Sequence, residues 1–479
     1  MSFLVGSVFS LPLMAQTYSA CPNTMDASVP LCPEIGLLSE QYPISAVTVS
    51  DDAGGAQFVG DYLTGVFKSQ RKSPPMAYVI VEDKAYEEVV QRLKKEASSP
   101  EEADEWIARL QRPEMKPYNW QQDYFDSFHD PKTGKAQLRH SERYPRVSKA
   151  DFNNLVQAMN ANCGETAGRP LTFEGTLVDG VSGGNLEAAG DFCLVGRDHF
   201  VSDSEYKAYA KNVCGNLDNL IETPSEFLRV GHTDEFYKTI PIPGRSPPCN
   251  FAMAVASPSK AMELLERDAP QPAFSRVPKI DNNRTYRSLC RSLGDLPKGA
   301  PPVEPAVPGT KGKTQSFLEL LLKPKAAAAN AGDYAACSKM TNADLLKIIQ
   351  NEPDLKALNE QVDAKMKAFA ERMKARVSAK YPGCNPPVIE VPQLFHGAGV
   401  FEKAQSLSIF PNPTNGEYVN GHYLMSDPVN KSFGDEFRKQ LSALGIPQTL
   451  INTDFAHKNM GNLHCSSHAI RYCRPRGGK

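Results

Sequence analysis

The hydrophobic pattern changes character twice along the chain. Through residues 16–75 apolar positions lack sustained periodicity and are interrupted by Pro, Gly and Asp, including Asp51-Asp52-Ala53-Gly54-Gly55, which predicts an irregular N-terminal extension. From Met76 the texture is that of regular elements. Tyr78-Val79-Ile80-Val81 is an apolar run of strand length, and Tyr86, Val89, Val90 and Leu93 follow at helical spacing. The succession recurs: Phe152, Leu155, Val156 and Met159 share one helical face behind Ser148, whose hydroxyl can accept a first-turn amide. Short apolar runs at Leu171 to Val178, Phe227 to Val230, Phe251 to Val255, Val388 to Val391 and Thr449 to Ile451 predict further strands. Short strands alternating with helices indicate an α/β fold.

Between Leu296 and Thr314 repeated Pro and Gly forbid either regular element and mark a linker or exposed loop. Behind it, Leu345, Ile348, Leu355, Leu358, Val362, Met366, Phe369 and Met373 recur at helical spacing, with Pro353 as a break or helix start. Residues 297–385 therefore read as a linker and helical insertion within an α/β body spanning 76–475. No fixed-period repeat suggests a solenoid.

The apolar run Phe3 to Met14 is shorter than the roughly 18 residues needed to cross a bilayer. It reads as the core of a signal peptide over residues 1–15, with Leu13 and Ala15 placed for cleavage before Gln16, although a basic leader segment is missing. A lipoprotein site at Ala20-Cys21 is the weaker alternative, because Tyr18 stands where an aliphatic residue is expected. A secreted or periplasmic location follows, with no membrane span. Eleven cysteines suit an oxidising compartment, and an odd count leaves at least one apart. No C-x-x-C pair supports a zinc ribbon or a thioredoxin-type centre. Lys plus Arg number 53 against 55 Asp plus Glu, so no basic surplus exists to neutralise nucleic-acid phosphates.

Four segments place reactive side chains beside Gly, Pro or Asn. They are Trp120-Gln121-Gln122-Asp123-Tyr124-Phe125-Asp126, Gly183-Gly184-Asn185-Leu186-Glu187, Gly231-His232-Thr233-Asp234-Glu235-Phe236, and Gly461-Asn462-Leu463-His464-Cys465-Ser466-Ser467-His468. Taken singly, each has an ordinary explanation: solvated carboxylates on a surface turn, a tight turn, a structural His-Asp pair, a half-cystine. In extended chain, His232 and Asp234 would share one face. A zinc site from His457, His464, Cys465 and His468 matches no standard spacing.

The alternative joins the segments: Cys465 as nucleophile, His232 as acid and base, and Asp123 with Asp234 as paired carboxylates. An arginine guanidinium resists attack because its charge is spread over three nitrogens. Two carboxylates can clamp its N–H groups and fix its planar carbon beside a sulfur. A thiolate then attacks, and an imidazole protonates departing ammonia before activating water.

In order along the chain, these segments resemble the catalytic domain of the protein-arginine deiminases, and Val391-Pro392-Gln393-Leu394-Phe395 and Phe410-Pro411-Asn412 add non-catalytic matches. The resemblance implies a pentein fold, a five-bladed α/β propeller, here with a helical insertion. It implies hydrolysis of peptidyl arginine to citrulline, with arginine-containing peptides or proteins as substrates and no organic cofactor. It assigns guanidinium binding to Asp123 and Asp234, acid and base to His232, the nucleophile to Cys465, and a wall against the substrate methylenes to Trp120. Animal members use calcium, and one of their sites is similar to Gln122, Asp126 and Glu187 with the carbonyls of Gly183 and Leu186; such oxygen donors suit a hard cation. Asp126 replaces a longer Glu, and Tyr124 stands where a second calcium site expects a carboxylate. Arg139, Arg143 and Arg146 are the candidates for holding a substrate backbone. A hydrolase or amidinotransferase of small guanidines, or an inactive arginine-binding module, would share the apparatus.

Overall fold

One unit of structure recurs five times: an antiparallel strand pair, then one or more helices, then a strand parallel to the second. The computed structural model describes residues 29–50, 55–70, 74–115, 121–129, 136–141, 148–163, 172–177, 183–197, 202–276, 339–397, 406–458 and 461–474. The first unit contains β1 (Ile44–Ser50), α1 (Gly55–Ser69), β2 (Met76–Ile80), α2 (Asp83–Glu96), α3 (Pro100–Ala108) and β3 (Leu110–Gln111). After α4 (Gln121–Tyr124), the second contains β4 (Phe125–His129), β5 (Ala136–Ser141), α5 (Lys149–Cys163) and β6 (Thr172–Leu177). The third runs through β7 (Leu186–Ala189), β8 (Phe192–Gly196), α6 (Asp203–Cys214) and β9 (Leu220–Thr223). The fourth has β10 (Tyr237–Pro241), β11 (Phe251–Ser257), α7 (Pro258–Arg267), α8 (Asn342–Asn351), α9 (Pro353–Lys380) and β12 (Val388–Pro392). A short pair, β13 (Phe395–His396) and β14 (Leu407–Ser408), leads to the fifth: β15 (Glu417–Val419), β16 (His422–Ser426), α10 (Lys431–Ala443) and β17 (Gln448–Ile451). After α11 (Asp454–Lys458) and α12 (Leu463–Ser466), β18 (Ser467–Arg471) returns to pair antiparallel with β1 and completes the first unit.

Each helix is the crossover that a parallel pair requires. The central strands are largely buried, and in β11 all seven residues of Phe251–Ser257 are covered. The helices seal the outer side with one apolar face: α10 buries Phe433, Phe437 and Leu441, and Asn430 caps it by accepting from the Phe433 amide at 3.2 Å.

The strand and helix predicted at 78–93, the helix behind Ser148, and the strands near 171, 251, 388 and 449 are all present. Ser148 Oγ accepts from the Asp151 amide at 3.1 Å, as its place in the sequence implies. Residues 44–50 and 55–69, expected to fall within an irregular extension, instead form β1 and α1. The strand escapes a hydrophobic count because Thr48 and Ser50 are among its buried residues. Phe227 to Val230 is a bend rather than a strand. Phe227 ends a 3-10 turn at Ser225–Phe227 and is held by ring contacts to Phe395 at 5.4 Å and Phe236 at 5.6 Å. The helical insertion is α8 and α9: Thr341 and Asp344 form a capping box, and Pro353 opens α9 at the position where its missing N–H costs nothing. Phe369 of α9 lies 6.2 Å from the Phe236 ring and 5.3 Å from Tyr237, so the insertion backs the His232 segment.

Disulfides join Cys32 to Cys473, Cys193 to Cys214 and Cys249 to Cys384. Cys465 keeps its thiol. Cys21, Cys290, Cys337 and the Cys163 side chain lie outside the described residues, as does the apolar run at residues 3–14. Among the described residues no helix is long and apolar enough to cross a membrane.

Candidate active site

In each unit one strand of the antiparallel pair is preceded by a short turn, and these turns carry most of the candidate residues. They are α4 before β4, a 3-10 turn at Gly183–Asn185 before β7, another at Thr233–Glu235 before β10, the bend around Asn412 to Asn415 before β15, and α12 before β18. Contacts link them in a ring. The Thr233–Glu235 turn meets the Gly183–Asn185 turn, which meets α4, which meets α12. Asn415 O accepts from the His464 amide at 3.1 Å, and Asn412 Nδ2 donates to Glu235 Oε2 at 3.0 Å, closing the circle.

Gly231 at φ +65° turns the chain into the His232 segment, a conformation that favours glycine. His232 is extended, but Asp234 lies inside the 3-10 turn, so the two do not share a strand face as expected. They are nevertheless brought together with Cys465. One ligand-capable atom from each of His232, Asp234 and Cys465 lies within 4.8 Å of the others, and all three residues are buried. Cys465 Sγ is 3.6 Å from Asp234 Oδ2 and 3.4 Å from Glu235 Oε1. Asp123 belongs to α4, the turn that touches α12, but its side chain lies outside the described residues, as does Trp120 altogether.

Several residues to which the sequence analysis gave no part in the reaction lie at the same place. Asn415 Nδ2 donates to Cys465 Sγ at 3.1 Å, and its Oδ1 accepts from the Cys465 amide at 3.2 Å. His464 Nδ1 lies 2.8 Å from Asp234 Oδ2. Burial, reinforced by the nearby charge of Lys238, pushes the His464 pKa well below the ordinary histidine range, so the ring is neutral and its Nδ1–H donates to Asp234. Glu235 is held through its main-chain carbonyl, which accepts from Gln393 Nε2 at 3.1 Å and Thr414 Oγ1 at 3.3 Å. The Asn-rich run Pro411 to Gly416 was the available signal for Asn415, since Asn beside Gly marks a shaped turn.

Of the expected calcium donors, Gln122, Asp126, Leu186 and Glu187 line one cavity of about 30 Å3. A Cβ on Gly183 would strike the Gln122 carbonyl oxygen and lie 2.8 Å from Asp126 Oδ2, so this turn also reaches the cavity wall. The donors' side chains bond to one another and to neighbouring groups. Gln122 Nε2 donates to Asp126 Oδ1 at 2.9 Å, Gln122 Oε1 is bonded to His468 Nδ1, and Glu187 Oε1 accepts from Lys238 Nζ at 3.0 Å. A calcium shell needs six to eight oxygens turned inward, so calcium here would require these bonds to rearrange. Arg139 sits on β5 with its guanidinium 4.3 Å from the Phe128 ring centroid and 3.4 Å from Asn212 O, while Arg143 and Arg146 lie outside the described residues.

No curated protein matches the sequence. Among solved structures, the chain is similar to an agmatine deiminase of C. jejuni at 11% identity and TM-score 0.46, covering 92% of this chain and 97% of that one. It is also similar to a Porphyromonas gingivalis protein provisionally named an arginine deiminase, at 13% identity and TM-score 0.47, covering 91% of this chain and 98% of that one. The model of the protein-arginine deiminase family matches residues 213–475, more than half of the chain and the part that holds His232, Asp234, Asn415 and Cys465. The chain belongs to the protein-arginine deiminase family and is a hydrolase of guanidino groups.

Proposed function

We propose that the protein is an exported protein-arginine deiminase that converts peptidyl arginine to citrulline and ammonia. The observation that carries the proposal is the buried meeting of His232, Asp234 and Cys465, drawn from two turns more than 200 residues apart. A guanidinium seated against Asp234 would have its charge compensated and its carbon presented to Cys465. Asp123 is the proposed second carboxylate of the clamp, and Trp120 the proposed wall along the methylenes. Cys465 Sγ bonds to the guanidinium carbon, and the tetrahedral adduct collapses by breaking one C–N bond. His232 supplies the proton that lets the nitrogen leave as ammonia. A covalent thiouronium remains. Water, deprotonated at His232, attacks the same carbon, and the C–S bond breaks to release the ureido product and the thiol. No step requires a metal.

The ring of five turns, each heading one strand-pair unit, supports the pentein five-bladed propeller as the arrangement of the whole catalytic domain, with α8 and α9 as its insertion. Three disulfides among the described residues support export.

The test is ammonia release from a blocked arginine peptide, free arginine and agmatine, with Cys465→Ser as control. Peptide turnover lost in the variant is expected. Turnover of free arginine or agmatine alone would move the protein to the small-guanidine hydrolases, and binding without turnover would make it an arginine-binding module.

A further inference from the structure

The cavity lined by the expected calcium donors is crowded with charge. The cavity of about 30 Å3 is walled by Glu40, Asp126, Glu187 and Glu417 together with Arg471. Such a volume holds a little water or one ion. Lys238, on β10 and six residues past His232, is fully buried, with Nζ 2.8 Å from Glu40 Oε1 and 3.0 Å from Glu187 Oε1. Glu40 also binds the Arg471 guanidinium, so two carboxylates face two cations. Glu417 is satisfied differently: its Oε2 accepts from the Tyr62 and Ser467 hydroxyls at 2.8 Å each, and burial with the charge of Glu40 pushes its carboxyl upward.

We propose that the Lys238 ammonium is the resident cation of this site, standing where a calcium ion would otherwise be required, so that the catalytic turns are fixed without metal. The connections run to both halves of the site. Lys238 lies on β10, the strand that follows the His232–Asp234 turn. It grips Glu187 on β7, and through Glu40 it reaches Arg471, the last residue of the strand that begins just after Cys465. A calcium ion bound to Glu187 would lie within a few ångströms of this ammonium, unscreened by solvent, and would have to displace it. A salt bridge supplied by the chain costs no ligand concentration and cannot be removed by a chelator.

Calcium binding and thermal unfolding provide the test, and neither depends on which guanidine is the substrate. Calorimetry on the wild-type chain should show no heat of binding up to about 1 mM calcium, a range in which even weak extracellular sites fill. Its melting temperature should be the same in calcium and in chelator. Lys238→Met leaves Glu40 and Glu187 short of a cation, and its melting temperature should fall and then recover at least in part when calcium is added. Lys238→Met combined with Glu187→Gln should lose that recovery. Saturable calcium binding by the wild type that disappears in Glu187→Gln would overturn the proposal, whatever the variants do. So would a folded Lys238→Met protein indifferent to calcium.

Discussion

Asn415 holds Cys465 from both sides, its Nδ2 3.1 Å from Sγ and its Oδ1 3.2 Å from the Cys465 amide. The amide thus orients the backbone of α12 and points a hydrogen-bond donor at the sulfur. A donor there stabilises a thiolate more than a thiol, and more still as charge develops during attack and expulsion. Asn415→Ala should therefore reduce kcat/KM by about 10- to 100-fold, or roughly 1.4–2.7 kcal/mol. It should also move the pH profile of Cys465 alkylation to higher pH than in the wild type. An unchanged alkylation profile with lowered activity would reduce Asn415 to a scaffold for the turn.

The same sulfur lies 3.4 Å from Glu235 and 3.6 Å from Asp234. Two carboxylates oppose a third negative charge on sulfur, whereas a guanidinium bound between them would remove that opposition. A neutral alkylating agent should accordingly label Cys465 more slowly at neutral pH than a chloroacetamidine of similar size. Glu235→Gln should narrow the gap from both directions, with faster neutral labelling and slower amidine labelling. The ratio of the two second-order rates, measured on one protein preparation, decides this. A ratio unaffected by Glu235→Gln would mean that the carboxylate does not face the reacting cation.

His232, Asp234 and Cys465 were legible because reactive side chains beside Gly and Asn stand out against apolar runs. Asn415 and Glu235 were not, although both lie in turn segments, because their contact with the thiol depends on ring closure between distant units. Lys238 was still less visible. In a strand beginning Tyr-Lys-Thr, a lysine reads as the solvated half of an alternation, and its partners Glu40 and Glu187 come from a leading segment and another sheet. The β1 strand was missed for a related reason. β1 has its neighbours at opposite ends of the chain, β2 just downstream and β18 at the far C-terminal end, so no local hairpin announced it. Within single helices and their parallel strands the local pattern was enough, since amphipathicity and burial there are properties of one segment.

The disulfide between Cys32 and Cys473 fastens the segment before β1 to the two residues after β18. A covalent tie across 441 residues removes much of the freedom of the unfolded chain. Cys473 is also thereby kept from pairing with Cys465. Replacing both half-cystines by Ser should cost about 2–5 kcal/mol in urea unfolding. Because β18 follows α12 directly, the variant should lose activity at a lower temperature than it loses its overall circular dichroism. Coincident loss of both would show that the tie stabilises the whole fold without a special hold on the nucleophile turn.

Histidines held neutral by burial set the response to acid. Burial pushes His396 and His457 down to about 4 and His468 down to about 3, and His464 well below the ordinary value. Each stays neutral in the folded protein through the range where the unfolded chain, with a histidine pKa near 6.5, takes up a proton. The unfolded state therefore binds more protons, and stability falls on acidification below about pH 6.5 by up to about 1.4 kcal/mol per pH unit for each histidine. Glu187 and Glu417, raised by burial, work the other way: their folded-state protons stabilise below the ordinary carboxylate pKa, and that contribution fades as pH rises through the raised values. His422 is lowered by burial as well, Asp61 and Glu352 are raised alongside Glu187 and Glu417, and Asp268, Asp363 and Asp435, held below the ordinary carboxylate range, add to the loss in acid, so the balance is a net loss toward acid. Urea unfolding at pH 7, 6 and 5 should show stability declining at each step. His396→Asn, which cannot take up a proton in either state, should flatten the decline by one histidine's share. A stability that is level or rises from pH 7 to pH 5 would mean that these rings are not held neutral by the fold.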